Sequence, residues 1–169
     1  CAGPGPTLRV PGGPLGLTRL LGALAPLRAD GPRRLVHTAR AMRGLLGGRG
    51  LAVVVGDLLD PDGALAAAEA LRDAGHEVVL ARVLTPFGRR PEGLDGLPLE
   101  DHETGERLEP PDAGVLEAYA EAFAAHERAL EDGARDLGAT LLAVGTEDAF
   151  DDVILRALGA GLLSQRSVA

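Results

Sequence analysis

The run LAVVVGDLLDP, residues 51–61, constrains the fold of this chain more than any other segment. Apolar residues from Leu51 to Val55 lead into Gly56 and Asp57, and Asp60 stands against Pro61. A continuous apolar run of this length reads as a strand buried on both faces, which is the pattern of a parallel sheet. Asp57 then falls at the carboxyl end of that strand, where open α/β sheets place their ligands.

The neighbouring segments alternate in the same sense. Residues 7–10 read as a short strand. Leu17, Leu20, Leu21 and Leu24 have helical spacing within 15–27, and a second helix carries Leu35, Ala39, Met42 and Leu46 on one face before the glycines at 47, 48 and 50. Asp60-Pro61 is an N-cap followed by proline at the first helical position, predicting a helix over 61–74 that stops at Gly75. EVVLARVL, residues 77–84, reads as the next strand, closed by Thr85-Pro86 and a Gly/Pro/Arg loop over 87–96. Residues 97–109 predict a charged hairpin turning at Glu103 to Glu106. The longest helix runs from Asp112 to about Leu137, with Leu116, Ala120, Phe123, Leu130, Ala134 and Leu137 inward. Residues 140–144 form a third buried strand, 150–158 a last helix capped by Asp148, and 159–169 a flexible tail. The expectation is an α/β fold, a three-layer, doubly wound, mostly parallel and Rossmann-like sheet with helices on both faces and an added hairpin.

Composition removes whole classes of chemistry. The 169 residues include no Lys, all 17 basic residues being Arg, so the P-loop and Schiff-base mechanisms are excluded within this chain. The net charge of −8 disfavours a nucleic-acid or membrane surface; Arg33, Arg34, Arg40 and Arg43 read as a solvated helix face. No run is long enough for a membrane span, and a cytoplasmic location is expected. Cys1 is the single cysteine, so no internal disulfide forms, and a start at Cys reads as a fragment. The only serines are Ser164 and Ser167, with no nucleophile elbow, and His37, His76, His102 and His126 are scattered off metal-ligand spacing.

Two motifs imitate catalytic sites. Asp60-Pro61-Asp62-Gly63-Ala64 resembles the DxDGT start of a haloacid-dehalogenase phosphatase, with Thr85 in place of the second motif. The motif's Thr is Ala64 here, Pro61 separates the acids, and the balancing lysine is missing. The cap reading of Asp60 is favoured; a Mg-dependent phosphohydrolase using Asp60 and Asp62 is the alternative. The glycines over 44–50 precede a strand instead of following one, so they read as a helix stop and not a phosphate loop.

VVVGDLLDP, GHEVVLARVLTP, LEDHETGERLEP, the long Ala/Glu/Arg helix and Thr146-Glu147-Asp148 occur in an order that resembles a bacterial family. These are the von Willebrand factor A-like proteins of domain-of-unknown-function family 58, and the resemblance covers roughly residues 7–158. It implies a von Willebrand A-like domain over 1–158 lacking its first strands, with a degenerate metal-ion-dependent adhesion site on the upper edge of the sheet. It implies no enzymatic activity. It implies a protein-interaction module, a partner of a MoxR-type AAA+ ATPase or its client in complex assembly or metal insertion. Asp57 matches the strand-end Asp of the family's metal site. The DxSxS element is not found, and Pro32-Arg33-Arg34 stands where a Thr should follow Gly31. Mg²⁺ is thus a cofactor expected of a full-length protein, and Asp57 is equally readable as a carboxylate bonding the amides of its own loop. The binding edge is expected near Gly31, Asp57, Thr85 and Thr146. A degenerate domain with only a structural role is a third reading.

Overall fold

The computed structural model describes residues 8–27, 35–43, 45–94, 97–101 and 105–160. Among the described residues six helices and five strands follow in the order α1 (Pro14–Leu24), α2 (Leu35–Met42), β1 (Leu51–Gly56), α3 (Pro61–Asp73), β2 (Glu77–Leu84), α4 (Pro86–Arg89), β3 (Leu99–Glu100), β4 (Arg107–Leu108), α5 (Ala113–Asp136), β5 (Thr140–Gly145) and α6 (Phe150–Gly159). No helix among the described residues is long and apolar enough to cross a membrane.

Local chemistry explains where the elements begin. Asp60 caps α3, its Oδ1 accepting from Gly63 N at 3.0 Å, with Pro61 at the first helical position. Asp112 caps α5 in the same way through Val115 N at 2.9 Å. Thr85-Pro86 repeats this grammar: Thr85 Oγ1 accepts from Gly88 N at 2.9 Å and starts α4, a single helical turn where the Gly/Pro/Arg content predicts loop. Residues 8–10 form no strand, Thr7 lying outside the described residues, and α2 ends at Met42, short of Leu46. The predicted hairpin is present as a short antiparallel ladder, Leu99 opposite Leu108 and Glu100 opposite Arg107, while Glu103 and Thr104 of its turn lie outside the described residues. Gly105, at φ 72°, closes that turn in the left-handed region. The tail beyond Ala160 also lies outside them.

β1, β2 and β5 form a parallel sheet in that order, with Leu51 opposite Glu77 and Val79 opposite Thr140. The α/β class and the parallel sheet are as expected. On the layering, the described residues establish three helices on one face of this sheet. One core cluster unites Ala39 of α2, Ala64, Ala67, Ala68 and Leu71 of α3, and Leu130 and Ala134 of α5 with Val78 and Leu80 of β2, and Ala52, Val54 and Leu141 pack at its margin. These strand positions share one face, so α2, α3 and α5 all lie on it. Strand order that advances in a single direction, joined by right-handed crossovers, puts consecutive crossover helices on the same side. A doubly wound sheet needs a reversal of strand order, which the three described strands do not contain.

The same topology corrects the reading of residues 51–57. β1 is an edge strand among the described residues, and Leu51, Val53 and Val55 are 47%, 53% and 63% exposed. The doubly buried strand is β2, where Val78, Val79, Leu80 and Ala81 are all buried. α5 has 24 residues against six in β5, so it outruns the sheet, and its first half, including Ala120, stays largely exposed.

Truncating Leu130, which is wholly buried between α5 and the sheet, should destabilise the fold by about 2–5 kcal/mol. Asp60→Ala should cost about 1 kcal/mol through the lost cap. Urea unfolding of both variants measures the two effects, and a neutral Asp60→Ala would show that the carboxylate does not hold the helix start.

Candidate functional site at the carboxyl ends of the strands

β1, β2 and β5 end at Gly56, Leu84 and Gly145, so Asp57, Thr85 and Thr146 follow on one rim of the sheet. Gly31 lies outside the described residues. Thr146 N donates to Leu84 O at 3.0 Å, which ties the loops after β2 and β5 together. Asp57 is exposed, and its Oδ1 accepts from Leu59 N at 3.2 Å. Between them Leu58 adopts φ 54°, uncommon for a residue with a side chain, and is 1% exposed. Its burial in the core holds the turn and leaves Asp57 and Leu59 outward. Thr85 uses its hydroxyl oxygen as the cap of α4.

Among the described residues no group of three or more His, Cys, Asp and Glu side chains is placed to hold a metal ion. Mg²⁺ needs near-octahedral oxygen ligation, and Asp57 offers one carboxylate already engaged with its own loop. The described residues therefore do not fit the adhesion-type metal site. Asp60 turns its carboxylate onto the amide of Gly63, and of Asp62 only the backbone is described.

The rim holds a second constellation that the sequence reading passes over. Arg82, in the middle strand, is 6% exposed. Its Nη2 donates to Glu127 Oε1 of α5 at 2.5 Å, and its Cζ lies 5.9 Å from the centroid of the Phe123 ring. Tyr119 stacks on Phe123 with centroids 6.0 Å apart, and its hydroxyl donates to Gly88 O. Nearby, Arg89 of α4 pairs with Glu147, and Arg156 of α6 pairs with Asp148. Asp148 also accepts from Gly145 N at 2.8 Å, so it bonds backward to the strand end and does not cap α6. That amide and the Arg156 guanidinium hold its carboxyl below the ordinary value of 3.8.

Two concavities result. A cavity of about 70 Å³ is lined by Arg82, Arg89, Gly145, Asp148 and Arg156. A groove of about 720 Å³ runs alongside, lined by Phe87, Arg89, Phe123 and Glu127. The chain has three Phe and one Tyr, and all four lie on this rim or on the stretch of α5 that faces it. The signal in the sequence is a lone Arg within the run VVLARVL that follows Glu77 in the central strand, together with aromatic residues placed two and four positions after strand-end threonines. Compared with models of protein families, with curated proteins and with solved structures, the chain matches none.

Asp148 supplies a pH dependence with a definite sign. Its carboxyl is depressed in the folded state, so its contribution is complete above the ordinary value of 3.8 and is lost as pH falls through the lower folded value. Wild type should lose more stability than Asp148→Asn on going from about pH 4 to about pH 2, as read from urea midpoints at each pH.

Proposed function

We propose that this chain is a protein-interaction module that grips a partner with the carboxyl-terminal rim of its sheet. The observation that carries this reading is the gathering of all four aromatic residues there. The core is built of Ala, Leu and Val, so the aromatic side chains are not needed to fill it. Each strand-end loop also presents an exposed large apolar side chain: Leu59 after β1, Phe87 after β2 and Phe150 after β5. Arg89, Arg90 and Arg156 line the concavities beside them. Aromatic and Arg side chains are the types enriched at protein interfaces and among their hot spots, because they bury much area at low entropic cost.

The resemblance to von Willebrand A-like proteins supplies the partner class, a MoxR-type AAA+ ATPase or its client. Exposed aromatic side chains at Phe87 and Phe150 with ion pairs nearby suit such docking, since the charges exclude competing partners while the rings supply affinity. In this reading Asp57 and Thr146 contribute polar contacts at the rim, and no bond-breaking step is assigned. The alternative, a phosphohydrolase using Asp60 and Asp62, finds less support because the Asp60 carboxylate is engaged by Gly63 N.

Phe87 and Phe150 are 51% and 75% exposed, so alanine at both leaves the core untouched. Titration calorimetry against a MoxR-type ATPase should show the double variant binding about a hundredfold or more weakly than wild type. Unchanged affinity would remove the rim from the interface. Hydrolysis of a phosphate ester abolished by Asp60→Asn would favour the alternative.

A further inference from the structure

We propose that the cavity between the ends of β2 and β5 binds the phosphate group of a small organic phosphate, with the ligand's body in the adjoining groove. This goes beyond the protein-binding reading and does not depend on it.

The carrying observation is Arg82. Its side chain is only 7% exposed, Glu127 takes Nη2 alone, and the buried Nε and Nη1 have no acceptor among the described residues. A buried charged donor without an acceptor is costly, and an incoming oxyanion relieves that cost. Arg82 lines the cavity together with Arg89 and Arg156, so guanidinium groups from a strand and two helices converge on one small space, with the Asp148 carboxylate, paired with Arg156, as the one acidic lining group. The cavity's volume of about 70 Å³ admits one phosphate group and little more. A single Arg suffices to grip a planar carboxylate in a two-point fork. Donors from three separate elements suit a tetrahedral oxyanion, whose oxygens point in several directions.

Glu147 is the built-in stand-in for this ligand. Its carboxylate pairs with Arg89 and folds over Gly145, so that a Cβ on Gly145 would meet it at 2.7 Å. Gly145 itself lines the cavity, so the Glu147 carboxylate lies beside it. The pair is 42% and 45% exposed, and exposed ion pairs are weak, so an external phosphate exchanges with Glu147 readily. With Glu147 displaced, Arg82, Arg89 and Arg156 face the carboxylates of Glu127 and Asp148, which leaves one net positive charge for the anion. Arg89 also lines the groove of about 720 Å³ that holds Phe87 and Phe123. A concavity of this size falls in the range of small-molecule sites, and its lining sets Pro86, Phe87 and Phe123 among Arg89, Arg90, Glu92 and Glu127. Phe87, about half exposed, offers the free ring of this groove to a ligand with an aromatic body, the Phe123 ring being taken by Tyr119 and Arg82.

The test is titration calorimetry of the full chain in phosphate-free buffer of low ionic strength, with inorganic phosphate and phenyl phosphate as probes. We expect saturable one-to-one binding of both, phenyl phosphate being about fivefold or more the tighter. Arg156→Gln and Arg89→Gln, both at exposed side chains, should each weaken binding about tenfold, and Glu147→Gln should strengthen it. Absence of saturable binding, or affinity unchanged in Arg156→Gln and Arg89→Gln, would overturn the site. Equal affinity for the two probes would overturn the assignment of an organic body to the groove. None of these measurements involves a protein partner, so their failure is distinct from a failure of the rim as an interface.

Discussion

β2 is the one described strand hydrogen-bonded along both edges, and the other elements are arranged by that fact. Parallel strands must be joined by crossovers, and each crossover helix has to cover the face it spans. α3 and α5 therefore meet over β2, with Ala64, Ala67 and Ala68 allowing one helix to sit closely on Val78 and Leu80 and Leu130 supplying the bulk from the other. Small side chains at the helix–sheet contact replace the aromatic residues that many α/β cores use. The consequence is chemical as well as mechanical: with the core filled by aliphatic groups, rings are left to the loops and to the overhanging half of α5.

The same centrality buries Arg82. Its alternation along β2 points it to the face that carries Val78 and Leu80, toward α5, where a charge has no access to bulk water. Burial of a guanidinium is tolerated only with a carboxylate in hydrogen-bonding range, and Glu127 provides it. Phe123, one turn before Glu127 on α5, adds its ring face to the same cation. The length of α5 beyond the sheet is what brings Tyr119 and Phe123 over the end of β2, so the helix that outruns the sheet is the scaffold of the rim.

How far these features can be read from residues alone follows from their range. The helix starts at Asp60 and Asp112, and the boundaries of α3, α5, β2 and β5, follow from caps, glycine stops and apolar runs a few residues long. Such signals are local, and the chain carries them where the structure uses them. α4 is missed although Thr85-Pro86 repeats the Asp60-Pro61 grammar, because the glycine and arginines after it outweigh the cap. The exposure of Leu51, Val53 and Val55 is not local: it depends on which strand lies in the middle, and an apolar run reads alike at an edge and at a centre. The pairing of Arg82 with Glu127 spans 45 residues, beyond the reach of any spacing rule. Asp57, Thr85 and Thr146 are legible as a rim because a parallel sheet puts every strand's carboxyl end on one side.

The ion pairs of the rim differ in kind, and that difference orders what the surface can do. Arg82–Glu127 is mostly sheltered, so removing either partner strands a charge in a poor solvent, and the pair is a fixed part of the fold. Arg89–Glu147 lies largely in water, where forming and breaking a pair changes the free energy little. Arg156–Asp148 falls between, since Asp148 is also held by the Gly145 amide. A ligand arriving at the rim therefore meets one immobile guanidinium, one that is released easily and one that is released with the loop after β5. Exchange begins at Glu147, the most exposed of the three carboxylates, and the buried cation supplies a fixed point toward which the exchanged anion settles.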